Sequence, residues 1–218
     1  MILADCGNTA VKLGQGAERV RLAPAEVAAW LGSHPADQLV LLPGAAASAG
    51  VVRAAWGGRL CEVGRDLALP DLGQYPGMGL DRIVAGLAAG TGTIVVDAGT
   101  ATTLTAWGAG GRFAGGLILP GPHAMIAGLC GRAPALPLVE PLAATAAAAQ
   151  RDTCSAIAAG AGIGHAMMVA GCIERLRGET GIASVLVTGG GAAGLGLPGA
   201  AWRPWLVLEG LERLSTGR

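Results

Sequence analysis

Asp5-Cys6-Gly7-Asn8-Thr9 closes the first apolar run of the chain, and Asp97-Ala98-Gly99-Thr100-Ala101 closes another, Ile94-Val95-Val96, near its middle. Each reads as a strand that ends in an acid and continues into a small residue, a glycine, and hydroxyl or amide groups. Such a turn directs backbone N–H groups at a phosphate while the carboxylate faces a metal ion. A single copy is also what a simple Asx-type turn looks like. Two copies, one in each half of a Gly-rich α/β chain, predict a duplicated fold that grips a nucleotide between its halves.

The pattern around these turns supports that class. Strands are expected at 2–5, 11–13, 20–22, 38–42 and 59–63, with helices at about 24–31 and after Pro43-Gly44. Strands alternating with helices indicate a mostly parallel sheet. Residues 66–79 form a loop rich in glycine and proline, and a loop of that length is usually functional or disordered. A helix follows at 80–89, and the second half restarts with a strand at 93–97. Two hairpin-linked strands are expected at 100–107 and 112–119, then helices to about 129 and over 153–177, and a strand at 184–188. A short strand near Leu206 and a last helix at 208–214 close the reading. No low-complexity linker separates the halves, so the expected domains are 1–90, with the first turn, and 91–218, with the second, as a rigid two-lobed unit with a cleft.

Composition narrows the partners. The chain has 218 residues, with 15 Lys plus Arg against 15 Asp plus Glu, so its formal net charge is zero. That balance makes no electrostatic case for nucleic acid or an anionic membrane. Lys12 is the only lysine, and no G-x-x-x-x-G-K-[ST] loop exists. If the protein handles ATP, backbone amides, hydroxyls and metal must hold it. Five cysteines (Cys6, Cys61, Cys130, Cys154, Cys172) without a C-x-x-C pair argue against a disulfide framework or zinc site and fit a reducing cytoplasm. The N-terminus shows no basic signal-peptide region. Residues 154–173 are uncharged apart from His165 and long enough to span a bilayer. Their Ala and Gly content and central histidine point instead to a buried helix or helix pair.

Gly79-Leu80-Asp81-Arg82 sits where the long loop enters a helix. Asp81 reads either as a helix-capping or first-turn residue or as a general base that accepts the proton of an alcohol attacking a γ-phosphate. Arg82 would neutralise an anionic substrate or the migrating phosphoryl group. Gly189-Gly190-Gly191-Ala192 is a third small-residue turn that could admit an adenine or ribose. Cys6 lies inside the first turn, where Asp5 raises a thiol pKa, so it is not a nucleophile. His165 reads as a satisfied core residue, His34 as a loop residue, and His123 as structural ahead of a substrate contact.

Taken together, D-x-G-N-T, G-x-D-R opening a mid-chain helix, D-x-G-T-A-T-T, G-G-x-I-x-P-G (residues 115–121), a late T-G-G and the terminal LVLEGL (residues 206–211) resemble the type III pantothenate kinases. The single motifs are shared with the wider acetate kinase, sugar kinase, Hsp70 and actin superfamily; G-x-D-R with D-x-G-T-A is more specific. The resemblance implies a duplicated ribonuclease H-like (actin-like ATPase) fold. It implies ATP-dependent phosphorylation of the primary hydroxyl of pantothenate, the first step toward coenzyme A, with Mg²⁺ and a monovalent cation, K⁺ or NH₄⁺. Carried over by residue, Asp81 is the base, and Tyr75, Gly79, Leu80, Arg82 and Thr153 serve pantothenate, Thr153 across a homodimer interface. Asp5, Gly7, Asn8, Thr9, Gly99, Thr100, Gly189 and Gly190 serve the nucleotide, and Asp97 and Asp5 the cations. Thr105, Gly191 and Asp152 depart from the family pattern of Asp, Asp and Asn. A non-catalytic regulatory relative is the alternative these departures allow, and a kinase of another small molecule is a third.

Overall fold

The structure is a computed structural model that describes residues 1–217. The chain forms two compact units, one of residues 1–90, 111–113 and 205–217, the other of residues 91–110 and 114–204. In the first unit β1 (Ile2–Cys6), β2 (Val11–Gln15) and β3 (Glu18–Leu22) make an antiparallel meander. The β2–β3 turn leaves two residues outside the ladder, since Gln15 faces Glu18, and Gly16 supplies the left-handed backbone such a tight hairpin needs at φ +57°. Helices α1 (Val27–Ser33) and α2 (Ala46–Ala55) then carry the chain to β4 (Gln38–Leu42) and β5 (Arg59–Glu62), which run parallel to β1 and β4. Parallel neighbours need such crossovers. The sheet order is β3-β2-β1-β4-β5.

The second unit replays this order. Between the two sheets along the chain comes α3 (Leu80–Ala89), which belongs to the first unit. β6 (Thr93–Ala98) pairs antiparallel with β7 (Ala101–Trp107), β7 neighbours β8 (Phe113–Pro120), and β9 (Ser184–Thr188) and β10 (Ala201–Trp202) add in parallel. The order β8-β7-β6-β9-β10 matches the first sheet strand for strand. The side-chain pattern repeats as well. Ile2, Ala4 and Cys6 enter one core with Val27, Leu31 and Val52, while Ile94, Val96 and Ala98 enter the other with Val169, Ile173 and Leu176. Because strand side chains alternate between faces, both cores leave Asp5 and Asp97 on the opposite face.

α4 (Pro122–Arg132) and α5 (Thr153–Thr180) belong to the second unit. α5 is one continuous helix of 28 residues, not a pair, and is the described helix long and apolar enough to cross a bilayer by length and composition. Only 39% of its most apolar window is buried, and Met167 is 70% exposed. His165 is buried.

Two expectations for the end of the chain are corrected. The strand placed near Leu206 lies at Ala201–Trp202, and its pairing ends where Arg203 N–H donates to the Val187 carbonyl at 2.9 Å. Leu206 instead opens α6 (Leu206–Thr216), because Leu206, Val207, Leu208 and Leu211 are all buried with helical spacing. This helix also clusters with the first unit, although the sequence pattern assigns it to 91–218. The reason is packing on α3, where Gly210 lies directly against the Val84 carbonyl.

A methyl group at 210 would collide with that carbonyl, which is backbone and cannot swing away. Gly210→Ala is expected to destabilise the protein by about 1–3 kcal/mol. Gly178→Ala, on an open face of α5, is expected to stabilise it by about 0.5–1 kcal/mol. Urea unfolding midpoints of the two variants measure the difference.

Candidate functional site

Asp5 is the penultimate residue of β1, and register places it opposite Lys12 on β2 and beside Leu42 on β4. The turn that follows is tied down on three sides. Gly7 N–H donates to the Ala10 carbonyl at 3.0 Å, Ser48 Oγ of α2 donates to the Gly7 carbonyl at 2.8 Å, and Ala45 N–H donates to the Cys6 carbonyl at 2.7 Å. Gly7 therefore shapes the turn with its own N–H, and a Cβ there would sit 3.0 Å from the Ala10 oxygen. Asn8 and Thr9 form the exposed tip.

Three forces act on the Asp5 carboxyl. Burial pushes its pKa up, the Lys12 ammonium 3.3 Å away pulls it down, and the charge of Asp81 pushes it up again. The last effect shows that the G-x-D-R segment lies within electrostatic reach of the first turn. Burial, reinforced by Asp5, raises the Cys6 thiol to about 12. Cys6 is a packed core group and no nucleophile. Lys12 is the charged residue of the site that no motif contains; in the sequence it serves only to rule out a Walker loop. Its signal is its place on β2, which the hairpin aligns with Asp5.

The second turn repeats the first in its bonding. Gly99 N–H donates to the Ala101 carbonyl at 3.1 Å, and Gly191 N–H donates to the Ala98 carbonyl at 2.8 Å. Ala45 lies three residues beyond Leu42, the end of β4, and Gly191 three beyond Thr188, the end of β9. The two closures are thus equivalent. Gly189 has φ +92°, and a Cβ there would run into the Ala98 carbonyl and the Asp97 carboxylate. Gly121 N–H donates to the Thr100 carbonyl at 3.0 Å, and its Cβ would lie 2.6 Å from the Gly99 oxygen. That is the physical need behind Pro120-Gly121-Pro122. Gly99, Thr100 and Gly190 border the turns, all three exposed, and Asp97 is half-buried opposite Thr103 and beside Thr188. Where the first turn has Lys12, the second therefore has a hydroxyl. Beneath it, Thr102 Oγ1 and His165 Nε2 are 2.8 Å apart and buried, and burial lowers the pKa of His165. His165 is the satisfied core residue expected.

Gly79, not Asp81, is the N-cap of α3. Asp81 sits in the first helical turn, half-buried, with Oδ1 accepting from Arg82 N–H at 2.9 Å. A Cβ on Gly79 would fall 2.5 Å from the same oxygen, so glycine keeps the carboxylate approachable. Leu80 beside it is half-buried. Arg82 is only 6% exposed, and its Nη1 donates to the Tyr75 hydroxyl at 2.8 Å. Tyr75 itself is 44% exposed. The first unit therefore gathers Asp5, Lys12, Tyr75, Asp81 and Arg82.

Thr153 lies elsewhere, in the second unit, as the first residue of α5. Asp152 caps that helix by accepting from Ser155 N–H at 2.9 Å, which holds its carboxyl below the usual range. Thr153 lines an apolar groove of about 520 Å³ between α4 and α5 with Met125, Ile126, Leu129 and Ile157. His123 pairs with Glu140 at the surface, 2.9 Å apart. Among the described residues no group of three or more His, Cys, Asp or Glu is arranged to hold a metal. Mg²⁺ commonly takes one or two carboxylates and completes its octahedron with water and substrate phosphates. A strand-end aspartate such as Asp5 or Asp97 fits that manner of binding.

Comparison with known proteins follows the same lines. The family model described as type III pantothenate kinase matches residues 65–175, half of the chain and the part holding Tyr75, Asp81, Arg82, Asp97 and Thr153. A type III pantothenate kinase of Synechococcus elongatus is 38% identical over 160 residues, and one of Desulfovibrio desulfuricans is 37% identical over 169. These alignments cover 69% and 71% of this chain, and the chain spans 64% of the length of each relative. A crystal structure of a conserved putative Baf family transcriptional activator from Campylobacter jejuni superposes with a TM-score of 0.62 at 18% identity, covering 100% of this chain and 98% of that one. That likeness bears on the fold alone, an α/β architecture in which one sheet order occurs twice. On the family match and these relatives, the chain belongs to the type III pantothenate kinase family.

Proposed function

We propose that this protein transfers the γ-phosphoryl group of ATP to the primary hydroxyl of pantothenate, giving 4'-phosphopantothenate for coenzyme A synthesis in the cytoplasm. The observation that carries this reading is the G-x-D-R segment. It puts a carboxylate in the first turn of α3, beside the Arg82–Tyr75 pair and within electrostatic reach of Asp5. Membership of the family and the 38% identity with a named kinase support the substrate.

Each residue then has a task. Tyr75 and Arg82 orient the pantothenate, with Gly79 and Leu80 shaping the approach and Arg82 balancing negative charge. Asp81 accepts the hydroxyl proton as the oxygen bonds to the γ-phosphorus and the bond to the bridging oxygen of the departing ADP breaks. Phosphoryl transfer asks the protein mostly for positioning and charge stabilisation. Asn8, Thr9 and Thr100 offer donors at the exposed tips, Gly7, Gly99 and Gly189 shape the turns so phosphates can approach, and Gly190 borders the nucleotide. Asp5 would hold Mg²⁺ and Asp97 the K⁺ or NH₄⁺, cations that would offset the negative charge of the phosphates. Lys12, next to Asp5, adds fixed positive charge at the same turn. The substitution of Thr105 and Gly191 for the family's acids leaves Asp5, Asp81 and Asp97 in place.

The same reading makes the protein a homodimer through α4 and α5, which would bring Thr153 to the partner's pantothenate. The half-exposed apolar surface of these helices, with Met167 70% and Leu129 44% exposed, supports that assembly. Exposed apolar surface of this kind is what a subunit interface buries.

Purified protein is expected to phosphorylate pantothenate with K⁺ or NH₄⁺ and not with Na⁺. Asp81→Asn is expected to lower kcat roughly a hundredfold to ten-thousandfold with little change in either KM, as read in a coupled ADP-release assay. No activity with any cation would overturn the kinase reading and favour a non-catalytic relative. Light scattering should give twice the 21.4 kDa chain mass, and Ile157→Glu in the groove should shift it to the single value. A thiol reagent at neutral pH should leave Cys6 untouched in the folded protein and modify it once the protein is unfolded.

A further inference from the structure

The chain contains one tyrosine and one phenylalanine, and the fold brings them together. Tyr75 lies in the loop before α3, and Phe113 is the first residue of β8, clustered with the first unit. Their ring centroids are 5.7 Å apart with planes inclined by 62°. That is the edge-to-face arrangement aromatic quadrupoles favour.

The contact is one of several from the same short stretch. Phe113 N–H donates to the Leu72 carbonyl at 2.7 Å, and Arg112 approaches Asp71 at 3.8 Å. A Cβ on Gly73 would lie 3.0 Å from the Arg112 guanidinium, so glycine with φ +78° lets the loop settle there. Within the loop, Gln74 accepts from Leu72 N–H at 2.6 Å and donates to the Pro70 carbonyl at 2.9 Å. Tyr75 is thereby gripped at two ends. Its ring meets Phe113, and its hydroxyl accepts from buried Arg82. A tyrosine 44% exposed would otherwise sample several rotamers.

We infer that Phe113 is a positioning residue for the acceptor substrate, acting through Tyr75 and, by the Tyr75 hydroxyl, on the orientation of Arg82. It touches no substrate. By holding the Tyr75 ring in one rotamer before binding, it removes an ordering cost that the substrate would otherwise bear. The inference rests on the reading of Tyr75 and Arg82 as groups that bind the acceptor alcohol. A residue of the glycine-rich 112–121 segment, whose motif portion begins only at Gly115, thus becomes part of acceptor specificity.

Two measurements test it, one independent of catalysis. Protein labelled with fluorotyrosine carries a single ¹⁹F resonance, since Tyr75 is the only tyrosine. Phe113→Leu is expected to shift and broaden that resonance while the circular dichroism stays unchanged. In steady-state kinetics the same substitution should raise the KM for pantothenate about threefold to tenfold, the range an aromatic pair contributes. The KM for ATP should be unchanged and kcat should stay within about twofold. Phe113→Tyr, which keeps the ring and so folds alike, should restore the wild-type KM. In a Tyr75→Ala background, Phe113→Leu should have no further effect. An equal effect in that background, a parallel rise in the KM for ATP, or an unmoved ¹⁹F resonance would overturn the inference. If the wild type does not phosphorylate pantothenate, the acceptor reading falls, and the resonance alone then decides whether Phe113 positions Tyr75.

Discussion

The recurring constraint in this protein is a single backbone hydrogen bond made twice. At the end of each central strand a carbonyl, of Cys6 or of Ala98, accepts an N–H from the turn that ends its parallel neighbour, at Ala45 or at Gly191. Each bond brings two strand ends together beside the aspartate that precedes the accepting residue. The glycines follow from it: Gly44 and Gly189 would each drive a Cβ toward that carbonyl. A buried carbonyl must find a donor, and here the donor also shapes the turn that supports the reading of a phosphate grip.

The two copies differ in what surrounds the acid. Asp5 is almost wholly buried, with an ammonium opposite it and a second carboxylate within reach. Asp97 is half-buried among Thr103 and Thr188 in register. Register thus sets the Lys12 ammonium opposite the first acid and the Thr103 hydroxyl opposite the second. The proposed chemistry, however, attaches to a segment that is not duplicated. Asp81, Arg82 and Tyr75 occur in the first unit only, on the helix that follows the first sheet along the chain and the loop before it.

Much of this is legible in the sequence. The five strands of the first sheet, the start and end of α3 and the whole of β9 follow from apolar runs bounded by glycine and proline. These elements are short, strongly patterned and bounded by residues whose backbone preferences are steep. Leu206 misleads because Leu206-Val207-Leu208 is equally a buried strand and the first turn of a buried helix, and a run that short has no distinguishing period. Helix α6 wins because Gly210 permits close approach to α3, a contact more than a hundred residues distant in sequence. The role of Lys12 is hidden for a related reason. Its partner is fixed by strand register, which no single motif contains.

The sequence by itself determined the duplication, the two acid-ended turns, the G-x-D-R segment and hence the family, because these are local signals written in adjacent residues. The tertiary structure alone decided which groups meet. It set Lys12 against Asp5, brought Asp81 within reach of that acid, seated Gly121 on the second turn, buried Arg82 under Tyr75, and brought the only phenylalanine to the only tyrosine. Those juxtapositions depend on cross-strand register and on packing between distant segments. Pairwise distances of that kind are set by the whole fold's close packing and not by any stretch of chain.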